Sequence, residues 1–276
     1  MAAVLALLTS ALYSAADFFG GIATKRNPVR HVVLGAQIIG LTSLLAIVWF
    51  FEATFRWADA GYGAIGGLAG LAGIVLLYRG LARGPMAVVA PITALVSAAL
   101  PVGWDVIGGN RPGVVQGLGL LLGLAAIVVM STGSSDRQSA TVTARVITEA
   151  LLAGAGFGGF FILLDYTADN SAPWPIVSAR IAAVMSIIIV TLISRNTPQI
   201  QIDRVVIGAG LCDTAANVTY LFALEHGSLA TVAVLGSLYP VGTVLLARTV
   251  LRERLTSMQL AGLGVTLIAV VLIAGS

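Results

Sequence analysis

Ten stretches of this chain are almost free of charge, and each is long enough to cross a membrane: 2–24, 32–51, 60–81, 86–104, 113–130, 146–166, 174–193, 204–224, 229–247 and 257–274. A helix needs about 20 apolar residues to span roughly 30 Å of hydrocarbon. Charged residues make up only 10% of the 276 positions, against about 25% in a soluble domain. Fifteen Lys and Arg with twelve Asp and Glu cannot coat a water-soluble surface. Lipid is therefore the solvent, and the mean hydropathy of +0.99 agrees. In lipid every backbone N–H and C=O must be satisfied internally, so continuous apolar runs imply helices. A closed barrel would need alternating segments of about ten residues, and these runs do not alternate.

Several function classes drop out early. The first run has no basic residues before it, and Lys25, Arg26 and Arg30 follow it. It is expected to stay as a membrane helix and not to be removed as a signal peptide. No basic patch is interleaved with aromatics, so a nucleic-acid partner is not expected. The lone Cys212 permits no intramolecular disulfide, and no thiol-rich metal site. Phosphate-cradling, serine-hydrolase and zinc-protease motifs are absent, so neither an enzyme nor a cofactor is expected.

The longest polar stretch, STGSSDRQSATVTA at 131–144, falls at mid-chain. It divides a first repeat, 1–130, from a second, 145–276. A gap-free shift of 143 residues brings out identities: Gly67-Leu68 with Gly210-Leu211, Gly84 with Gly227, Arg111 with Arg254, Gln116 with Gln259. Five spans per repeat is an odd number, so the second repeat enters the membrane with the opposite orientation. Inverted repeats of this kind are characteristic of secondary transporters. The loops after odd-numbered spans carry twelve Lys and Arg, the others only Arg56 and Arg111. The charge bias places the odd loops in the cytoplasm and both termini outside.

Charges inside spans cost several kcal/mol unless paired or wet. Asp17, Arg180 and Asp213 are such charges. Asp213, Asn217 and Tyr220 share a stripe on one helix, and that stripe must face the interior or a wet cavity. The repeat offset carries Arg180 onto Gln37, which puts polar groups at equal depth in both halves. Asp213, Arg180, Asn217, Tyr220, Gln37 and Asp17 are therefore the candidate substrate-binding or coupling residues. A purely structural Arg–Asp pair remains the competing possibility. Tyr13 and Trp104 are weaker candidates for cavity lining. Gly63 with Gly67, and Gly66 with Gly70, have the spacing of closely packed membrane helices. Pro91 and Pro240 are expected to kink spans 4 and 9. Asp165 and Asp169 read as a solvated helix end, Trp174 as an interface anchor.

The stretch LYPVGTVLLARTVLRERLTSMQLAGLGVTLIAVVLI, 238–273, resembles the end of an EamA domain of the drug/metabolite transporter superfamily. Pro240, Glu253-Arg254-Leu255-Thr256, Gln259 and Gly262 carry the likeness. ARGPMAVVAPITAL, 82–95, and Gln116 with Gly119 repeat it in the first half. The whole chain thus resembles two tandem EamA repeats. The resemblance implies a ten-helix basket of two inverted five-helix repeats, and a carrier that often exports amino acids or other metabolites. It also implies cytoplasmic termini, against the arginine count. One departure is Asn110-Arg111-Pro112, where the second repeat has Glu253-Arg254-Leu255.

The expected protein is an all-α, multi-pass transporter of the bacterial-type inner membrane, with membrane lipid around it. It moves a small polar metabolite by alternating access, with protons as a possible coupling ion resting on Asp17 and Asp213. One chain holds a complete ten-span unit, so a monomer can suffice. The alternative, a non-transporting scaffold or sensor, calls for a tail or fused soluble domain, and the ten spans leave no room for one.

Overall fold

The computed structural model describes residues 1–107, 113–115, 117–119, 121, 122, 125, 143–195, 199–226, 232, 235, 236, 238–252 and 257–274. Helix is the dominant state, as a chain without water to pair its backbone requires. The helices with defined bounds are α1 (Ala2–Arg26), α2 (Val29–Ile47), α3 (Trp57–Arg83), α4 (Met86–Ile107), α5 (Ala144–Asp165), α6 (Trp174–Ile193), α7 (Arg204–His226), α8 (Tyr239–Val250) and α9 (Ser257–Ala274). Among the described residues there is no strand.

Six helices are long and apolar enough to cross a membrane: α1, α2 with its extension to Phe50, α3, α5, α6 and α7. Shorter apolar stretches, Met86–Pro101 and Leu260–Leu272, lie in α4 and α9. The described positions between 114 and 125 are helical too. Six of the ten predicted runs therefore stand as spanning helices by length and composition. Residues 131–142 of the polar linker, and the turns Asn110–Pro112 and Glu253–Thr256, lie outside the described residues, as do the side chains of Gln116, Gln259 and Asp169.

The prolines within the apolar runs take two kinds of place. Pro91 and Pro101 are inside α4. Pro240, expected to kink span 9, stands at the second residue of α8, two past its N-cap Leu238, and the helical residues 235 and 236 precede the turn at Leu238, so the run is interrupted just before the proline. There the missing N–H has no intrahelical partner to lose.

The packing is organised by exchange. α1 packs most extensively on α7, and α3 on α5. Shifting every residue number by 143 turns the first of these pairs into the second. The same holds at residue level. A Cβ on Gly67 of α3 would strike the backbone of Ala179 on α6, and one on Gly210 of α7 would come within 2.6 Å of the Ala36 carbonyl on α2. The second contact is the first one shifted by the repeat offset. Glycine is needed at both positions because two helix backbones touch there. Three further glycines of α3 face two neighbours: Gly63 meets Pro175 and Ser178 of α6, while Gly66 and Gly70 meet Phe160 of α5.

Lys and Arg gather at one end of the bundle. Lys25 and Arg26 occupy the last turn of α1, Arg83 that of α3, and Arg248 that of α8. Positive charge is favourable against the carbonyl ends of helices. Buried Glu149 on α5 pairs with Arg83 and, at 3.4 Å, with Arg145. Just inside this end, Leu77, Tyr78, Leu81, Met86, Val88 and Val146, all essentially without exposure, belong to the largest apolar cluster among the described residues. At the opposite end Trp174 meets the rings of Phe55 at 5.4 Å and Trp49 at 6.1 Å, edge to face. Trp49 is largely exposed, and exposed Trp at a helix end suits a membrane–water interface.

Candidate functional site

Arg180 is set by the close approach of α6 to α3. Because Gly67 lets Ala179 in against the α3 backbone, the next residue, Arg180, is drawn into the interior, where it is 6% exposed. Its guanidinium donates to Gln37 Oε1 on α2 and to the Asp213 carboxylate on α7. A Cβ on Gly40 would lie 3.3 Å from Arg180 Nε, so the glycine on α2 makes room for the charge. One cation thus ties three helices together. Its two recorded partners come from opposite halves of the chain.

One turn further along α7, Asn217 Nδ2 donates to the Asp213 main-chain carbonyl at 2.7 Å, and Asn217 Oδ1 accepts from the Tyr13 hydroxyl of α1 at 3.1 Å. Tyr13 meets the ring of Tyr239 edge to face at 6.1 Å. Around it, α1 is pinned by two polar contacts: Thr9 with Thr219 of α7 at 2.8 Å, and Ser14 Oγ donating to the Tyr239 carbonyl at 2.8 Å. These bonds hold α1 in register with both neighbours, which matters because Asp17 projects from the same helix.

These side chains line a partly open cavity of about 720 Å³, counting the space at its mouth. Tyr13, Asp17, Gln37, Arg180, Asp213 and Asn217 are all on its wall, with Ser97 and Tyr239. Most of the rest is apolar: Leu71, Ile74, Phe157, Phe160, Phe161 and Ile176 among them. Asp17 is 7% exposed, and none of the ion pairs among the described residues includes it.

Five of the six predicted site residues are brought together here. Tyr220 is not. It packs behind the wall, stacked on Phe161 with ring centroids 5.1 Å apart, and is buried beside Ala6, Ala223 and Val232. Of the weaker candidates, Tyr13 lines the cavity, whereas Trp104 lies at the surface, donating through Nε1 to Tyr166 Oη at 3.0 Å. Ser97, Tyr239 and the three phenylalanines escaped sequence reasoning, as did the room-making Gly40. A usable signal existed for some of the wall. The repeat offset maps Asp17 to Phe160, Asp213 to Gly70 and Asn217 to Ile74, and all six positions face the cavity. No group of three metal-ligating side chains occurs among the described residues.

A helical multi-pass membrane protein with a largely apolar cavity that carries three charged side chains between two exchange-related halves has an arrangement that fits a transporter. The chain belongs to the EamA-like transporter family, whose profile matches residues 1–132 and 145–275. It is thus built of two tandem EamA segments and belongs to a family of transporters of the drug/metabolite type. A solved crystal structure of another protein superposes with a TM-score of 0.66 at 14% identity, covering 98% of this chain and 95% of that one. That likeness concerns the fold. No curated protein matches the chain significantly.

Proposed function

We propose that the protein is a secondary carrier that exports a small polar metabolite, in the chemical range of amino acids and related compounds, by alternating access. Ten spans form two inverted five-helix repeats, 1–130 and 145–276, joined by the linker 131–144, in a bacterial-type inner membrane. The observation that carries the reading is the hydrogen bond between Arg180 and Gln37, residues separated by the repeat offset of 143. Two equivalent positions can touch only where the exchange axis passes between them. The cavity wall therefore contains that axis, and a site on the axis can face either side as the two halves trade conformations.

In this reading Asp17 and Asn217 meet the substrate's polar groups, the Arg180–Asp213–Gln37 cluster forms the charged wall beside them, and the phenylalanines exclude water from its apolar part. Without a nucleotide-binding motif, movement is driven by a gradient. Protons are the coupling ion we favour, because two carboxylates share the cavity. The test is flux in proteoliposomes against a broad metabolite panel, with and without an imposed pH gradient. Saturable uptake of one chemical class, abolished by Arg180→Gln, supports the carrier. Folded protein that moves nothing under any gradient refutes it. Flux indifferent to the pH gradient removes the proton alone.

A further inference from the structure

Resting on the carrier reading, we infer that the cavity selects a monocation, a protonated amine on an apolar or aromatic body, with Asp17 as its counter-charge. Three charged side chains line the cavity: Asp17, Arg180 and Asp213. Arg180 is committed, because its guanidinium already donates to Asp213 and Gln37. That pair is neutral as a unit. Asp17 has no comparable partner among the described residues. It is more than nine-tenths buried yet borders the empty space. A buried carboxylate with no counter-charge is unfavourable by several kcal/mol, and a cationic ligand beside it removes that cost.

The surroundings specify the rest of the ligand. Tyr13 stands one helical turn from Asp17 on α1. Phe157, Phe160, Phe161 and Tyr239 supply aromatic faces, which attract cations and accept flat apolar groups. A free anion meets the opposite situation. It must displace Asp213 from Arg180 while Asp17 repels it. A zwitterion meets half of each.

A matched ring series separates charge from shape. Tryptamine, 3-methylindole, tryptophan and indole-3-acetate, with phenethylamine and its neutral and acidic counterparts, are titrated against the full-length protein in nanodiscs. Binding is read by calorimetry and by thermal shift. The expected order is cation, then neutral, then zwitterion, then anion, with Asp17→Asn weakening the amines by about tenfold or more and leaving the neutral ring unchanged. Asp17→Glu, which keeps the charge, preserves the preference. The order in wild type is itself decisive should Asp17→Asn not fold. Equal binding of tryptamine and 3-methylindole, or a preference for tryptophan or indole-3-acetate, overturns the cation assignment and leaves the carrier reading standing. Failure of both amines to bind overturns it as well, while the flux panel judges the carrier separately.

Discussion

Arg180 and Asp213 illustrate what a single buried charge demands. Removing one partner leaves the other uncompensated in a low-dielectric interior, typically at a cost of about 3–5 kcal/mol. Arg180→Gln and Asp213→Asn are each expected to lower the melting temperature in detergent, and the double variant to melt above either single one. Additive losses in the double variant would show that the two side chains are not energetically coupled. Outside the membrane spans, Asp203 caps α7 by accepting from the main-chain N–H groups of Val205 and Val206, each at 2.9 Å. The Val206 bond leads in holding its carboxyl below the usual range. Its stabilisation is fully present above the unfolded carboxyl value of about 3.9 and fades as pH falls through the lower folded value. Asp203→Ala should cost about 0.5–2 kcal/mol at neutral pH, and the gap between variant and wild type should close on acidification. A gap independent of pH would dissociate the cap from the carboxylate. Charge in an apolar run is conspicuous, which is why Asp17, Arg180 and Asp213 stand out in the sequence. Phe157 and Ser97 offer no such contrast in a chain this rich in apolar and small residues. Tyr220 misled for a geometric reason. Seven residues return to the same helix face but lie about 10 Å along the axis, far enough to pass beyond the cavity that Asp213 and Asn217 share.

Helices meet where their side chains disappear. Gly67 against Ala179, and Gly210 against Ala36, bring backbones together at two points related by the repeat. Gly67→Val and Gly210→Val should each force a helix pair apart, at about 1–3 kcal/mol or more, and should reduce flux together with stability. Gly61→Ala is the control, since nothing lies within 4 Å of a Cβ there. In a helix that change is favourable by about 0.5–1 kcal/mol. Melting curves of the three variants would decide the matter. A tolerated valine at Gly67 would mean that α3 and α6 are free to separate. Spacing alone indicates a small-residue face, as it did for Gly63 with Gly67 and Gly66 with Gly70. Spacing cannot say that one face meets α6 and the other α5, because both neighbours are equally apolar. Pro240 shows the same limit: in a uniformly apolar run nothing local distinguishes a mid-span kink from a helix start.

At the scale of the whole molecule, the basic residues gather at one end and exposed tryptophans at the other. Positive charge is retained on the cytoplasmic side of a membrane, so the arginine end should face inward. In a background with Cys212→Ser, cysteines placed at exposed Glu52 and Ser194 would report this through a membrane-impermeant maleimide applied to intact cells. Labelling at position 52 with protection at 194 is the expected outcome, and the reverse pattern would invert the orientation.

The chain's residues alone were enough to specify lipid as the solvent, helix as the element, two repeats at an offset of 143, and buried charges that had to find partners. Each follows from local chemistry: hydrocarbon length, backbone hydrogen bonding, and the energy of an isolated charge. The identity of those partners was settled by packing. Arg180 lies 143 residues from Gln37 and 33 from Asp213, and no sequence spacing joins the three. They meet because glycines at 40 and 67 let three helices close around one guanidinium. Asp17 has no counterpart in that arrangement, so its carboxylate faces the cavity.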